Sequence, residues 1–93
     1  MNATHKLARD ISRSIQVLEG SGYRCIRISG GAFGEFDIIG LSSTDVMLCK
    51  SCRGKPPWAG TIAELRHVIA PPNTRRMVHR WLPRARLPQV IVL

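Results

Sequence analysis

Two charged residues stand inside stretches that otherwise read as buried strands. Asp37 lies in Phe36-Asp37-Ile38-Ile39-Gly40, and Lys50 closes Val46-Met47-Leu48-Cys49-Lys50. A charge among apolar residues is costly to bury unless it is paired or coordinates a metal. The segment Ser42-Ser43-Thr44-Asp45 is a hairpin turn, and a turn of that length sets Asp37 opposite Lys50. One outcome is a simple Asp37–Lys50 ion pair. The other is a hydrolytic site, with a carboxylate holding a divalent ion and a lysine beside the attacking water. Just upstream, Gly30-Gly31-Ala32-Phe33-Gly34 is a turn with three glycines.

The charge balance points to a polyanionic partner. The 93 residues carry 14 Lys+Arg against 6 Asp+Glu, a formal net charge of +8. Eleven of the cations are arginine, whose planar fork matches phosphate oxygens two at a time. From Leu65 to the C-terminal Leu93 there are six arginines (66, 75, 76, 80, 84 and 86) and no acid. A solvated surface ordinarily mixes both signs, so this asymmetry favours nucleic acid, DNA or RNA, over a merely soluble basic face. An acidic protein partner is the remaining alternative. No apolar run approaches the roughly 20 residues of a membrane span, and no long basic amphipathic helix favours a lipid surface. The three cysteines, Cys25, Cys49 and Cys52, are an odd number in a small chain, which argues against a disulfide framework and for a reducing, cytoplasmic setting. Cys49 and Cys52 have C-x-x-C spacing but no second pair and no histidines at finger spacing to complete a zinc site.

The elements that must position these residues follow from periodicity. Leu7, Ile11, Ile15 and Leu18 form one stripe of a helix over 4–18, stopped by Gly20 and Gly22. Strands are predicted over 23–29, 35–41 and 46–53. A short helix capped by Thr61 covers 61–70, and Pro71-Pro72 breaks it. Met77, Val78, Trp81 and Leu82 suggest a further helix starting at Asn73 or Thr74 and ending at Pro83. A last strand covers 88–93, with Val90 to Leu93 assigned to the core rather than to an interface. The length sets one domain, 1–93, with a mean hydropathy of −0.03 fitting a folded chain. The order is α-β-β-β-α-α-β, an α/β fold with a mixed sheet flanked by helices.

The helix, Gly22-Tyr23, the strand, the glycine turn, Phe36-Asp37-Ile38-Ile39-Gly40 and the apolar strand ending in Lys50 resemble the PD-(D/E)XK nuclease superfamily. Within it the likeness is to small nucleases of the Holliday-junction-resolvase and restriction types. The resemblance covers about residues 4–53. It implies a restriction-endonuclease-like αβββαβ core and metal-dependent hydrolysis of DNA phosphodiesters with Mg²⁺ or Mn²⁺. It places Asp37 at the metal-binding aspartate, Lys50 at the family lysine, and the main-chain carbonyl of Cys49 as a further ligand. Arg27, Gly30, Gly31, Arg53, Lys55, Arg75, Arg76 and Arg80 are the expected contacts to nucleic acid, and a homodimer is expected.

One position departs from the pattern. The family has an acid two residues before the lysine, and here that residue is Leu48, which offers no oxygen to a hard cation. Glu35, on the same strand face as Asp37, or Glu64 on the following helix would have to replace it. Asp10 and Glu19 are candidates for the accessory acid that some relatives carry on the first helix. If none does, the chain is a nuclease-fold protein that binds DNA through its arginines without cutting it.

Overall fold

In a computed structural model, residues 3–28, 35–54 and 59–93 are described. The chain begins with α1 (Ala3–Gly20), followed by β1 (Arg24–Arg27), β2 (Ile38–Leu41) and β3 (Val46–Arg53). Next come α2 (Ala59–His67), β4 (Thr74–Trp81) and β5 (Gln89–Val92). The five strands form one sheet in the order β1-β2-β3-β4-β5. β3 and β4 are parallel, joined by the crossover through α2, and the other neighbours are antiparallel.

The helix α1 ends in a Schellman motif. Gly22 takes φ +97°, the Tyr23 N–H reaches the Leu18 carbonyl at 3.1 Å, and the Gly22 N–H reaches that of Glu19 at 3.0 Å. Tyr23 and Leu18 pack into the same apolar cluster, the contact this cap usually carries. At the next corner, Ser42 N–H bonds the Asp45 carbonyl at 3.0 Å, closing the expected hairpin turn. The Asp45 carboxylate also accepts from Tyr23 Oη at 2.6 Å and from Arg75 Nε at 3.0 Å. This ties the start of β1, the β2–β3 turn and β4 together.

Alternation along β3 divides the core between two layers. Met47 and Cys49 face α1, where they pack with Ile11, Leu18 and Ile38. Leu48 faces the other way, with Phe36, Leu65 of α2 and Val78 of β4. Cys49 and Cys52 therefore belong to opposite faces and cannot close on one metal ion; all three cysteines are free thiols.

Two expectations are corrected. The segment predicted as a helix over 73–82 is β4. Met77, Val78 and Trp81 satisfy a helical stripe, but they also fit period two. Val78 packs among the α2-side residues, Met77 against the α1-side cluster, and Trp81 donates Nε1–H to Ser14 of α1 at 2.8 Å. Eight residues of parallel pairing with β3 decide between the two periods. The last strand is only half core. Ile91 and Leu93 pack inward, whereas Val90 and Val92 are exposed on an edge strand. No described helix is long and apolar enough to cross a membrane.

Candidate functional site at the end of β3

The β2–β3 register closes at Ile38 opposite Cys49, which brings Asp37, the next residue out, to the end of β3 beside Lys50 and Ser51. The backbone of Asp37 is fixed on both sides. Its N–H donates to the Cys49 carbonyl at 2.9 Å, and its carbonyl accepts from the Ile28 N–H at 2.8 Å. Beyond this point the ladder runs out. Ser51 N–H, which points toward β2, is met instead by Asp37 Oδ2 at 2.7 Å. The carboxylate is half-buried. Burial pushes its pKa up, against the opposing effects of the Ser51 N–H, Lys50 and Arg27.

Lys50 and Asp37 do not form a direct ion pair among the described residues. Lys50 Nζ lies 3.7 Å from Glu35 Oε2 and donates to the Glu35 main-chain carbonyl at 3.3 Å. Glu35 is half exposed, and its charge adds to the upward push on Asp37. The structure thus gathers Asp37, Glu35 and Lys50 at one end of the sheet, with Arg27 close enough to act on Asp37 electrostatically.

The other candidate acids lie elsewhere. Glu64 is exposed on α2. Glu19 is exposed near the end of α1, where it acts on Cys25, whose thiol is pushed up chiefly by burial. Asp10 is fully buried between arginines. Arg53 Nη1 bonds its two carboxylate oxygens at 3.1 and 3.3 Å, and Arg13 Nη1 lies 3.6 Å away. Arg13 in turn stacks over the Trp81 ring at 4.0 Å. This network escapes the sequence, because Asp10 and Arg53 are far apart in the chain and no motif links them.

Several expected nucleic-acid contacts have structural partners. Arg76 Nη1 donates to the carbonyls of Leu65 and Val68 at 2.9 and 2.6 Å, capping the C-terminal turn of α2. Arg80 bonds the Gly54 carbonyl and Gln89 Oε1, the latter at 3.0 Å. Arg75 pairs with Asp45 yet stays largely exposed, and Arg53 holds Asp10. Arg27 is exposed. Gly30, Gly31 and Lys55 lie outside the described residues.

No protein-family model matches the sequence, and no curated protein does. Among solved structures, the chain is similar to Hjc, a Holliday junction resolvase from the archaeal hyperthermophile Archaeoglobus fulgidus. The TM-score is 0.71 at 20% sequence identity, over 94% of this chain and 72% of that one. The fold is the restriction-endonuclease-like one. It extends the sequence resemblance from the first half of the chain to nearly all of it, with β4 in place of the expected helix.

The sequence resemblance implies a divalent cation, and the donors present here are few. Leu48, where the sequence resemblance expects an acid, is 1% exposed and packed with Phe36, Leu65 and Val78. Asp37 has one oxygen on the Ser51 N–H, the Cys49 carbonyl accepts from Asp37, and Glu35 faces Lys50. Among the described residues no three His, Cys, Asp or Glu side chains converge as a metal site. A hard cation bound mainly by protein oxygens does not fit this set.

Proposed function

We propose that this protein binds DNA through its exposed arginines, as a restriction-endonuclease-like domain that does not cut by the metal-dependent route. The observation that carries the reading is Leu48, buried in the position where such a site would take its second carboxylate. Arg27 is exposed beside a half-buried Asp37, Lys50 is shared with Glu35, and the chain as a whole carries a net charge of +8. Contacts of this kind go to phosphates and sense backbone shape, not sequence. The resolvase likeness makes branched DNA the first substrate to try. We take the working unit as a homodimer, because β5 offers a second copy an open edge with Val90 and Val92 exposed.

Anisotropy titrations with duplex DNA, four-way-junction DNA and RNA across a salt series test this. The expected result is salt-sensitive binding that favours DNA, with log K falling by about 0.9 per log unit of salt for each phosphate neutralised. Sedimentation of the free protein tests the dimer. One arrangement favours a second reading: Glu35 stands beside Lys50 with its carboxylate half exposed, a relocated second acid for hydrolysis. Incubation of the same DNAs with Mg²⁺ or Mn²⁺ decides between them. Cleavage that disappears in both Asp37→Ala and Lys50→Ala establishes the second reading and overturns the first.

A further inference from the structure

On the α1 side of the sheet, beside the end of β3, a cleft of about 470 Å³ is lined by Arg9, Arg13, Arg53, Leu82, Pro83 and Arg84. Four guanidiniums thus share one opening. The carboxylate behind them, Asp10, is buried beneath Arg53 and Arg13. Arg9 and Arg84 are exposed, and neither has an ion-pair partner among the described residues. Like charges at this density repel, and an anion entering the cleft removes that repulsion.

A second observation, from the backbone, points the same way. Leu82–Ala85 is a tight turn closed by the Ala85 N–H on the Leu82 carbonyl at 3.1 Å. Pro83 occupies its second position and Arg84 its third, at φ +64°. A turn with proline there and positive φ next ordinarily takes glycine at the third position. A long side chain held in the left-handed region is a strained choice, of the sort that accumulates where a side chain is needed. The strained turn is also anchored, since Arg13 donates to the Ala85 carbonyl.

We propose that this cleft is a phosphate-binding site that takes internal phosphodiester groups of the nucleic acid strand. The inference rests on the DNA-binding reading above and assigns it a second anchor. Lys50 and Arg53 are three residues apart on β3, so alternation turns them to opposite faces of the sheet, and the cleft is an anchor separate from the Asp37–Lys50 site. Arg13 and Arg53 are positioned by Asp10, while Arg9 and Arg84 are free to close on the phosphate oxygens.

The test compares wild type, Arg9→Ala, Arg84→Gly and Lys50→Ala by anisotropy on one duplex, made with and without 5′-phosphates, across a salt series. Inorganic phosphate serves as a competitor. Arg9→Ala and Arg84→Gly are each expected to weaken binding roughly five- to tenfold and to flatten the salt slope by about 0.9. The thermal midpoint of Arg84→Gly is expected at or above that of wild type, because glycine relieves the turn; a mere structural role for Arg84 would not give lower affinity with undiminished stability. If Lys50→Ala weakens binding while both arginine variants match wild type, the cleft assignment is overturned and the DNA-binding reading stands. If wild type does not bind at low salt, both fall. Binding that requires the 5′-phosphate, or that millimolar inorganic phosphate abolishes, overturns the assignment to internal phosphodiesters in favour of a terminal or free phosphate.

Discussion

Putting an acid back at position 48 tests the central argument about the site. Leu48 faces Ile39 across the β2–β3 pair, so its Cβ is diagonal to that of Asp37, roughly 7–8 Å away. A glutamate there reaches far enough to share an ion with Asp37. The substitution has a stability cost that follows from the packing. Leu48 is 1% exposed among Phe36, Leu65 and Val78. Losing a buried leucine costs about 2–5 kcal/mol, and an unpaired carboxylate in its place adds to that. For a domain of this size roughly 4 kcal/mol lowers the midpoint by about 15–30 °C. Total stabilities run to only about 5–14 kcal/mol, so Leu48→Glu without metal is expected to be barely folded. Mn²⁺ at a hundred times its dissociation constant restores about 2.7 kcal/mol, or roughly 10–20 °C. Differential scanning fluorimetry reads this directly, with Leu48→Gln as the uncharged control. The expected pattern is a large Mn²⁺-dependent rise in Leu48→Glu, little in Leu48→Gln or wild type, and loss of the rise when Asp37→Asn is added. A wild type that gains as much from Mn²⁺ as Leu48→Glu refutes the reasoning, because the existing carboxylates would then already hold the ion.

Acid sensitivity is a second expectation. His79 is 1% exposed, its Nδ1 has no partner, and burial lowers its pKa from 6.5 to about 4. A depressed base keeps its full stabilising contribution above about pH 6.5 and loses it as pH falls toward 4, by roughly 2 kcal/mol at pH 5. Asp37, raised by burial, acts in the opposite sense, so urea unfolding at pH 7 and pH 5 should be compared between wild type and His79→Gln; equal losses would contradict the assignment. Removing the partner of a buried carboxylate is costly, and Arg53→Met is expected to destabilise the fold by about 2–3 kcal/mol in urea, with a smaller further loss when Asp10→Asn is added. At Gly40 an added Cβ would lie 3.2 Å from Tyr23 Cβ and 3.3 Å from Cys25 Sγ, so Gly40→Ala should cost about 1–2 kcal/mol by the same assay.

That Asp37 comes near Lys50 was legible because a short turn and period two leave little freedom in register. The bounds of β3 were legible for the same reason, with an apolar run flanked by turn residues on both sides. β4 was misread because Met77, Val78 and Trp81 satisfy both periods, and only the parallel partner strand separates them. The arginines were counted correctly, but the partners that several of them have inside the fold were not foreseen. Arg76 and Arg80 satisfy main-chain carbonyls, and Arg53 neutralises a carboxylate 43 residues earlier in the chain. Local spacing carries no trace of such a link. The strain at Arg84 is equally hidden, since a proline followed by arginine reads as an ordinary turn.

Every strand in the sheet neighbours its predecessor in the chain, and this order bears on how the molecule assembles. The first three strands form a meander that pairs across a ten-residue connection and a four-residue turn, with α1 already contiguous to it. Only the β3–β4 junction demands a long crossover, and its eight paired residues are the largest single gain in the sheet. Loop closure must precede that gain. Acquisition of β4 is therefore the natural bottleneck in folding. Since β4 also brings Trp81 against Ser14 and Arg13, the same late step completes the burial of the indole and the backing of the arginine cleft. Tryptophan emission and competence to bind anions should consequently appear together in refolding, after the meander has formed.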